Sequence, residues 1–334
     1  MRTLVTGGAG YIGSHVTLAL AAAGHEAVVL DNLSTGHAWA VKSGRLVKGD
    51  IADAALLDRL FGQHRFEAVV HLAAESVSSE SVAEPLRYYR SNVLGTHALL
   101  EACQRHGPRW LVFSSSAAVY GAPRRVPVTE RAAIAPINPY GASKAMGERM
   151  LADLCAATPL KCVSLRFFNV AGADPEGRAG ESTPVASHLI KIAAEVVTGK
   201  RAELAVYGED YPTPDGTCIR DYVHVTDVAG AHLDALAYLQ SGGATRAFNL
   251  GYGHGASVKE VIRAVETATG RALPLRSAAR RPGDAPRLVA DGALARKRLG
   301  WTPAHDDLDR IVASAIAWER RLAAPSIAAD GRDG

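Results

Sequence analysis

Thr6-Gly7-Gly8-Ala9-Gly10-Tyr11-Ile12-Gly13 is the stretch on which the fold turns. It follows an apolar strand candidate at residues 3–6 and leads into a helix that opens at Ser14-His15. Gly7, Gly10 and Gly13 are spaced G-x-x-G-x-x-G, one residue away from the G-x-G-x-x-G dinucleotide fingerprint. The physical demands are the same: a tight turn, close approach of backbone to a pyrophosphate, and a helix N-terminus facing negative charge. Glycines also mark ordinary turns, so the flanking residues carry the weight. The second strand candidate, residues 27–30, ends at Asp31, where a carboxylate can accept hydrogen bonds from both hydroxyls of an adenosine ribose. Asp31 also repels a 2′-phosphate and no Arg follows it immediately, which favours NAD over NADP as cofactor.

Further strand candidates at 68–72, 110–114 and 162–168 alternate with helical stretches such as 93–106. That alternation predicts an α/β fold with a doubly wound parallel sheet. After Asn169 the chain becomes rich in Gly and Pro, at 172–177 and 208–216, and a smaller α/β substrate domain is expected to begin there. The expected division is 1–170 with 217–252 for the dinucleotide-binding domain, and 171–216 with 253–334 for the second. Ser257-Val258-Lys259-Glu260 reads as a capping box, with Gly270 as the stop, and apolar residues recur at helical spacing from Leu308 to Ile316. The residues after Pro325 are small and polar enough to fray.

The 334 residues are enough for one large or two joined domains. A charged fraction of 21% and a net charge of +3 leave no basic block to attract nucleic acid or an anionic membrane. No apolar run approaches the roughly 20 residues that span a bilayer. Cys103, Cys155, Cys162 and Cys218 form no C-x-x-C pair, so neither a zinc site nor a dithiol is expected, and a reducing, cytoplasmic compartment fits. His15, His71, His224 and His232 read as structural histidines and no metal is assigned.

Chemistry enters at Tyr140-Gly141-Ala142-Ser143-Lys144, which places Tyr140 and Lys144 at i and i+4 on one helix face. A tyrosine titrating near 10 is a poor base at neutral pH, and an adjacent ammonium, helped by the positively charged nicotinamide, is expected to lower it into range. Ser114-Ser115-Ser116 stands at the end of the strand candidate that begins at Trp110, where doubly wound sheets place ligands, so a hydroxyl there can share a proton with Tyr140 and a substrate oxygen. Asp50, after a third strand, can reach an adenine amino group or cap the next helix. Leu72, Ala73 and Ala74 leave room for the cofactor backbone.

Together these motifs resemble the extended short-chain dehydrogenase/reductase family. The Tyr211-Pro212-Thr213-Pro214-Asp215-Gly216-Thr217 segment running into Arg220-Asp221-Tyr222, and Arg280-Arg281-Pro282-Gly283-Asp284, resemble its UDP-hexose 4-epimerase branch. The resemblance covers nearly the whole chain. It implies that Ser116, Tyr140 and Lys144 form the catalytic group. NAD would lie along Gly7, Gly10, Tyr11, Ile12, Gly13, Asp31, Asn32, Leu33, Ser34, Asp50, Ile51, Leu72, Ala73, Ala74 and Ser114, with Asn92 and Phe168 at its nicotinamide end. Arg220 and Arg281 would clamp the substrate's pyrophosphate and Asp284 its uridine ribose, while Asn169, Leu189 and Tyr207 line the nucleotide-sugar site. The implied reaction interconverts UDP-glucose and UDP-galactose through oxidation at C4, and the implied assembly is a homodimer through residues 93–106 and 140–154.

Three positions depart from the family pattern. His188 stands where many members have Asn, Ser76 where some have Lys, and Leu288 where some carry a bulky Tyr beside the sugar, the last leaving volume for UDP-N-acetylhexosamines. A UDP-pentose 4-epimerase is the alternative reading. A nucleotide-sugar dehydratase is disfavoured because Ser116 is followed by Ala117-Ala118 rather than a carboxylate. A non-catalytic NAD sensor need not keep Ser116, Tyr140 and Lys144 together.

Overall fold

The structure, a computed structural model, describes residues 1–281 and 284–324. Pro282, Gly283 and the tail from Pro325, read above as part of a site motif and as a fraying end, lie outside the described residues. In the first half, strands β1 (Arg2–Thr6), β2 (Glu26–Asp31), β3 (Arg45–Lys48), β4 (Ala68–His71), β5 (Trp110–Ser116) and β6 (Lys161–Phe167) alternate with helices. The helices are α1 (Tyr11–Ala22), α2 (Ala54–His64), the short α3 (Ser78–Ala83) and α4 (Pro85–Tyr88), α5 (Gly95–His106) and α6 (Pro139–Ala157). The later part carries β7 (Asn169–Ala171), α7 (Leu189–Val197), β8 (Leu204–Tyr207), β9 (Ile219–Arg220), β10 (Tyr222–His224), α8 (Val225–Gln240) and β11 (Arg246–Leu250). It ends with β12 (Ala256–Ser257), α9 (Val258–Thr269), β13 (Leu275–Ala278), β14 (Arg287–Leu288), α10 (Ala293–Leu299) and α11 (Leu308–Ala323).

Seven strands form one sheet in the order β11-β6-β5-β4-β1-β2-β3, with every pairing parallel. The expected doubly wound sheet is therefore present. Its central strands β1, β2 and β4 carry adjacent apolar residues, as both faces are covered. Val5, Val29, Val70 and Val112 point into one buried cluster. Their neighbours Leu4, Val28, Val69 and Leu111 point into another on the opposite face, as a period of two requires. Helices α1 and α8 pack together on one side, and α2, α5 and α6 on the other. The strand order reverses between β1 and β4, which opens a crevice at the carboxyl ends of the strands.

Smaller sheets β7-β10, β8-β13 and β12-β9-β14 build the second lobe with α7, α9 and α11. The capping box at Ser257 and Glu260 is formed, and Gly270 ends α9 in the left-handed conformation at φ 66°. Two boundaries differ from expectation. Helix α1 begins at Tyr11, because Gly10 rather than a polar side chain occupies its N-cap. Helix α5 begins at Gly95, because residues Tyr89–Leu94 form a π-helical segment that turns Asn92 inward.

Candidate active site

One cleft of about 1190 Å³ runs from the turn after β1 across the sheet's carboxyl edge into the second lobe. It exceeds the roughly 300–1,000 Å³ of a site for one small ligand. Every anticipated site residue lines it except Leu33 and Asn92.

At its first end the glycines are dictated by close approach. Gly7 has φ +73°, and a Cβ there would lie 2.6 Å from the backbone N of Ala73 at the end of β4. At Gly13 a Cβ would lie 2.1 Å from the carbonyl oxygen of Gly7, so α1 abuts the turn it follows. The first turn of α1 has neither a side-chain cap nor an acidic residue, and its N-terminal residues Gly10, Tyr11 and Ile12 face the cleft. Unneutralised amides at a helix N-terminus favour a diphosphate.

Asp31 stands at the rim of this end. Its Oδ2 accepts from Ala9 N at 2.9 Å and its Oδ1 from Leu33 N at 2.8 Å. The turn therefore fixes the carboxylate and leaves lone pairs for ribose hydroxyls. Leu33, held at φ 61°, serves that bond from outside the cleft. Asp50 does not cap the next helix: its Oδ1 accepts from Ala52 N and its Oδ2 from Asn32, both within 3.0 Å. The cap of α2 is Asp53, three residues before the amide of Leu56 that it receives.

In the middle of the cleft, Asn138 caps α6 by accepting from Gly141 N at 2.8 Å. This starts the helix so that Tyr140 and Lys144 project to the carboxyl end of β5. Lys144 Nζ donates to the carbonyl of Ser114 at 2.8 Å and lies 5.0 Å from the Phe113 ring. Tyr140, Lys144 and Ser116 are all at most 9% exposed. Burial pushes the Tyr140 phenol up, while the neighbouring Ser116 hydroxyl lowers it. The expected lowering by Lys144 is not what the protein alone produces, because in a dry pocket the cost of desolvating a phenolate dominates. Lys144 itself is pushed down to about 8 by burial, with the Glu148 carboxylate one helical turn away acting in the opposite direction.

That carboxylate belongs to a network sequence reasoning missed. Arg166 grips both oxygens of Glu148, donates to Tyr120 Oη at 2.8 Å, and Ser115 donates to the same Glu148. The available signal was Glu148 four residues after Lys144 on the same helical face. Asn92 also acts from behind the wall: its amide donates to the Glu75 carbonyl and to Ser143 Oγ, and its Oδ1 accepts from Glu75 N. These bonds lock the loop after β4 to α6. The Ser114 hydroxyl is likewise turned away, onto His232 Nε2 at 2.8 Å. His71, bonded to Thr6 and Thr96, is driven down to about 3 by burial. Among the described residues no group of three His, Cys, Asp or Glu could hold a metal ion.

At the far end, Phe168, Asn169, His188, Leu189, Tyr207, Arg220, Arg281, Asp284 and Leu288 converge on the same cleft. Arg220 and Asp284, assigned above to different parts of a ligand, pair with each other. Two opposite charges facing a cleft share a hydrogen bond in the protein alone, and the remaining guanidinium donors stay available to phosphate. Arg281 lies 3.9 Å over the Tyr207 ring, a stacking that Lys cannot reproduce. Glu181, Cys218 and Tyr222, which were not anticipated, complete this wall.

A family model described as the NAD dependent epimerase/dehydratase family matches residues 3–251. The chain belongs to that family. Among epimerase/dehydratase relatives, a UDP-glucose 4-epimerase from Azospirillum brasilense is 56% identical over 322 residues, covering 96% of this chain and 92% of the relative. The crystal structure of UDP-glucose 4-epimerase from Brucella ovis in complex with NAD superposes with a TM-score of 0.92 at 48% identity, covering 95% and 97% of the two chains. The UDP-Glc/GlcNAc 4-epimerase of Campylobacter jejuni superposes at 0.84 with 44% identity, covering 96% and 99%.

Proposed function

We propose that this epimerase/dehydratase family member is an NAD-dependent UDP-glucose 4-epimerase. One observation carries the reading: a single cleft joins a dinucleotide turn, the buried Ser116–Tyr140–Lys144 corner, Arg220 and Arg281. The uncapped N-terminus of α1 and Asp31 would hold the cofactor's diphosphate and adenosine ribose. When bound there, NAD would supply a reversible hydride acceptor for C4 of the hexose, and return of the hydride to the opposite face of the sugar would leave no net redox. Tyr140 accepts the C4 hydroxyl proton, assisted by Ser116, and gives it back on the return step. Lys144, fixed by the Ser114 carbonyl, supplies the positive charge that an ionised Tyr140 needs in a dry pocket. Arg220, Arg281 and Asp284 anchor the UDP portion while the sugar stays loose enough to turn over. Ala117 and Ala118 line the cleft where a dehydratase would need an acid.

The test is to incubate the purified protein, with no NAD added, with UDP-galactose, UDP-N-acetylgalactosamine or UDP-xylose and to follow the sugar proton signals by NMR. Conversion of UDP-galactose is expected. Leu288, at the cleft wall, leaves room for an N-acetyl group, so UDP-N-acetylgalactosamine is expected to convert as well. Conversion of UDP-xylose alone would favour the pentose reading, and conversion of none would remove the epimerase reading.

The division into 1–170 with 217–252 and 171–216 with 253–334 is proposed with it. The presence of β11 in the main sheet and the packing of α8 on α1 support that division. A homodimer is proposed through α6 and the residues around α5, because Val82, Leu86, Leu94 and Met146 are large apolar side chains left 44–79% exposed on elements that pack around α6. The paired variant Leu94→Glu and Met146→Glu is expected to sediment as a monomer where the parent sediments as a dimer. A parent already monomeric at micromolar concentration would refute this assembly. A cytoplasmic location is also proposed, supported by four cysteines that are all free and buried thiols.

A further inference from the structure

Glu181 and His188 face the cleft where the reading above places the substrate's diphosphate. Glu181 is 7% exposed and accepts from His188 Nδ1 at 2.7 Å. Its other contact is a 3.3 Å bond from Thr183 Oγ1. A buried carboxylate needs a countercharge, and His188 is the cationic partner within ion-pair distance of it among the described residues. His188 does not spend its ring on the helix it precedes: α7 has no side-chain cap at that position. The ring is 43% exposed and forms part of the cleft wall with Leu189, Tyr207 and Arg220. An asparagine here would leave Glu181 as an uncompensated negative charge beside an incoming dianion.

We infer that the Glu181–His188 pair supplies a titratable cation to the diphosphate of the UDP-sugar, so that substrate affinity, unlike the arginine contacts, depends on pH. The inference rests on the epimerase reading of the cleft. The other charges around the pair do not compensate Glu181. On α7 and α11, Lys191, Glu195 and Glu319 pair among themselves. Arg201, in the loop after α7, is bound to Glu195. Across the cleft Arg220 is bound to Asp284, and Arg281 is stacked on Tyr207. From α1 comes Tyr11, whose phenol is held well up by burial and by the Glu181 charge and so stays neutral. Tyr222, from β10, is likewise pushed far up by burial. The Glu181 charge raises His188 above its ordinary 6.5. The imidazolium is therefore fully present below that value and is lost as pH rises through the raised one.

The experiment is calorimetric titration of UDP-glucose into the holoenzyme between pH 6 and 8.5, a range in which the ligand's diphosphate diester keeps its charge. The parent is expected to bind about tenfold more weakly at the alkaline end, the effect of losing one charge-assisted contact. His188→Asn should bind weakly and without that slope, whereas His188→Lys should stay tight to pH 8.5. Glu181→Gln should move the break to lower pH. Equal affinity of the parent at both ends, or the same slope in the parent and His188→Asn, overturns the inference while leaving the epimerase reading intact. No binding at any pH overturns both.

Discussion

Replacing Tyr140 by Phe is expected to lower epimerase turnover about a thousandfold, the scale of a lost general acid–base group, while the purified protein keeps its NAD. The phenol is buried at the end of the cleft's middle section, with Ser116 beside it and Lys144 one helical turn further on. Phe fills the same volume, so packing and cofactor retention should not change. Only the atom that takes the C4 proton is removed. Ser116 cannot replace it, because an aliphatic hydroxyl is a far weaker acid than a phenol and does not become a base at neutral pH; its oxygen accepts from the amide of Ala118 at 3.1 Å. The measurement is initial velocity with UDP-galactose beside the absorbance of released NAD. Turnover within tenfold of the parent would show that another group moves the proton.

Gly13→Ala should have the second large effect, and by a different route. Its Cβ would sit 2.1 Å from the Gly7 carbonyl oxygen and 2.7 Å from Gly8 Cα, both backbone atoms that cannot rotate away. The helix must then move off the turn, opening the cradle that receives the diphosphate. Overpacking of this kind costs about 1–3 kcal/mol, so a lower melting temperature is expected together with a protein isolated free of NAD. Gly62 offers a control: it lies in α2 with nothing within 4 Å of an added Cβ, and Gly62→Ala should keep both cofactor and stability. NAD retained at full occupancy in Gly13→Ala would refute the close-approach account.

Local signals were legible where chemistry is written in short spacings. The glycine turn, Asp31 at the end of β2, the Tyr140–Lys144 step and the capping box of α9 each depend on residues a few positions apart, and the structure shows each in the expected conformation. Less was legible where two segments meet. The resemblance implies a cofactor contact for Asn92, and only the structure shows that the π-helical segment turns its amide onto Glu75 and Ser143. The ionisation of Tyr140 was read from its neighbour Lys144 and a bound nicotinamide, and in the protein alone burial, which a sequence does not display, sets the direction.

From its residues alone, this chain could be read as a doubly wound sheet with a dinucleotide turn and a tyrosine–lysine corner, because periodicity and i,i+4 spacing act through the local backbone. Tertiary structure alone decided which charges meet. Arg220 pairs with Asp284 across 64 positions, Lys191 with Glu319 across 128, and Arg166 with Glu148 between neighbouring elements. His188 faces Glu181 at the substrate end of the cleft. Coulomb energies depend on distance and burial, and both arise only once the fold brings these distant segments together and closes them off from water.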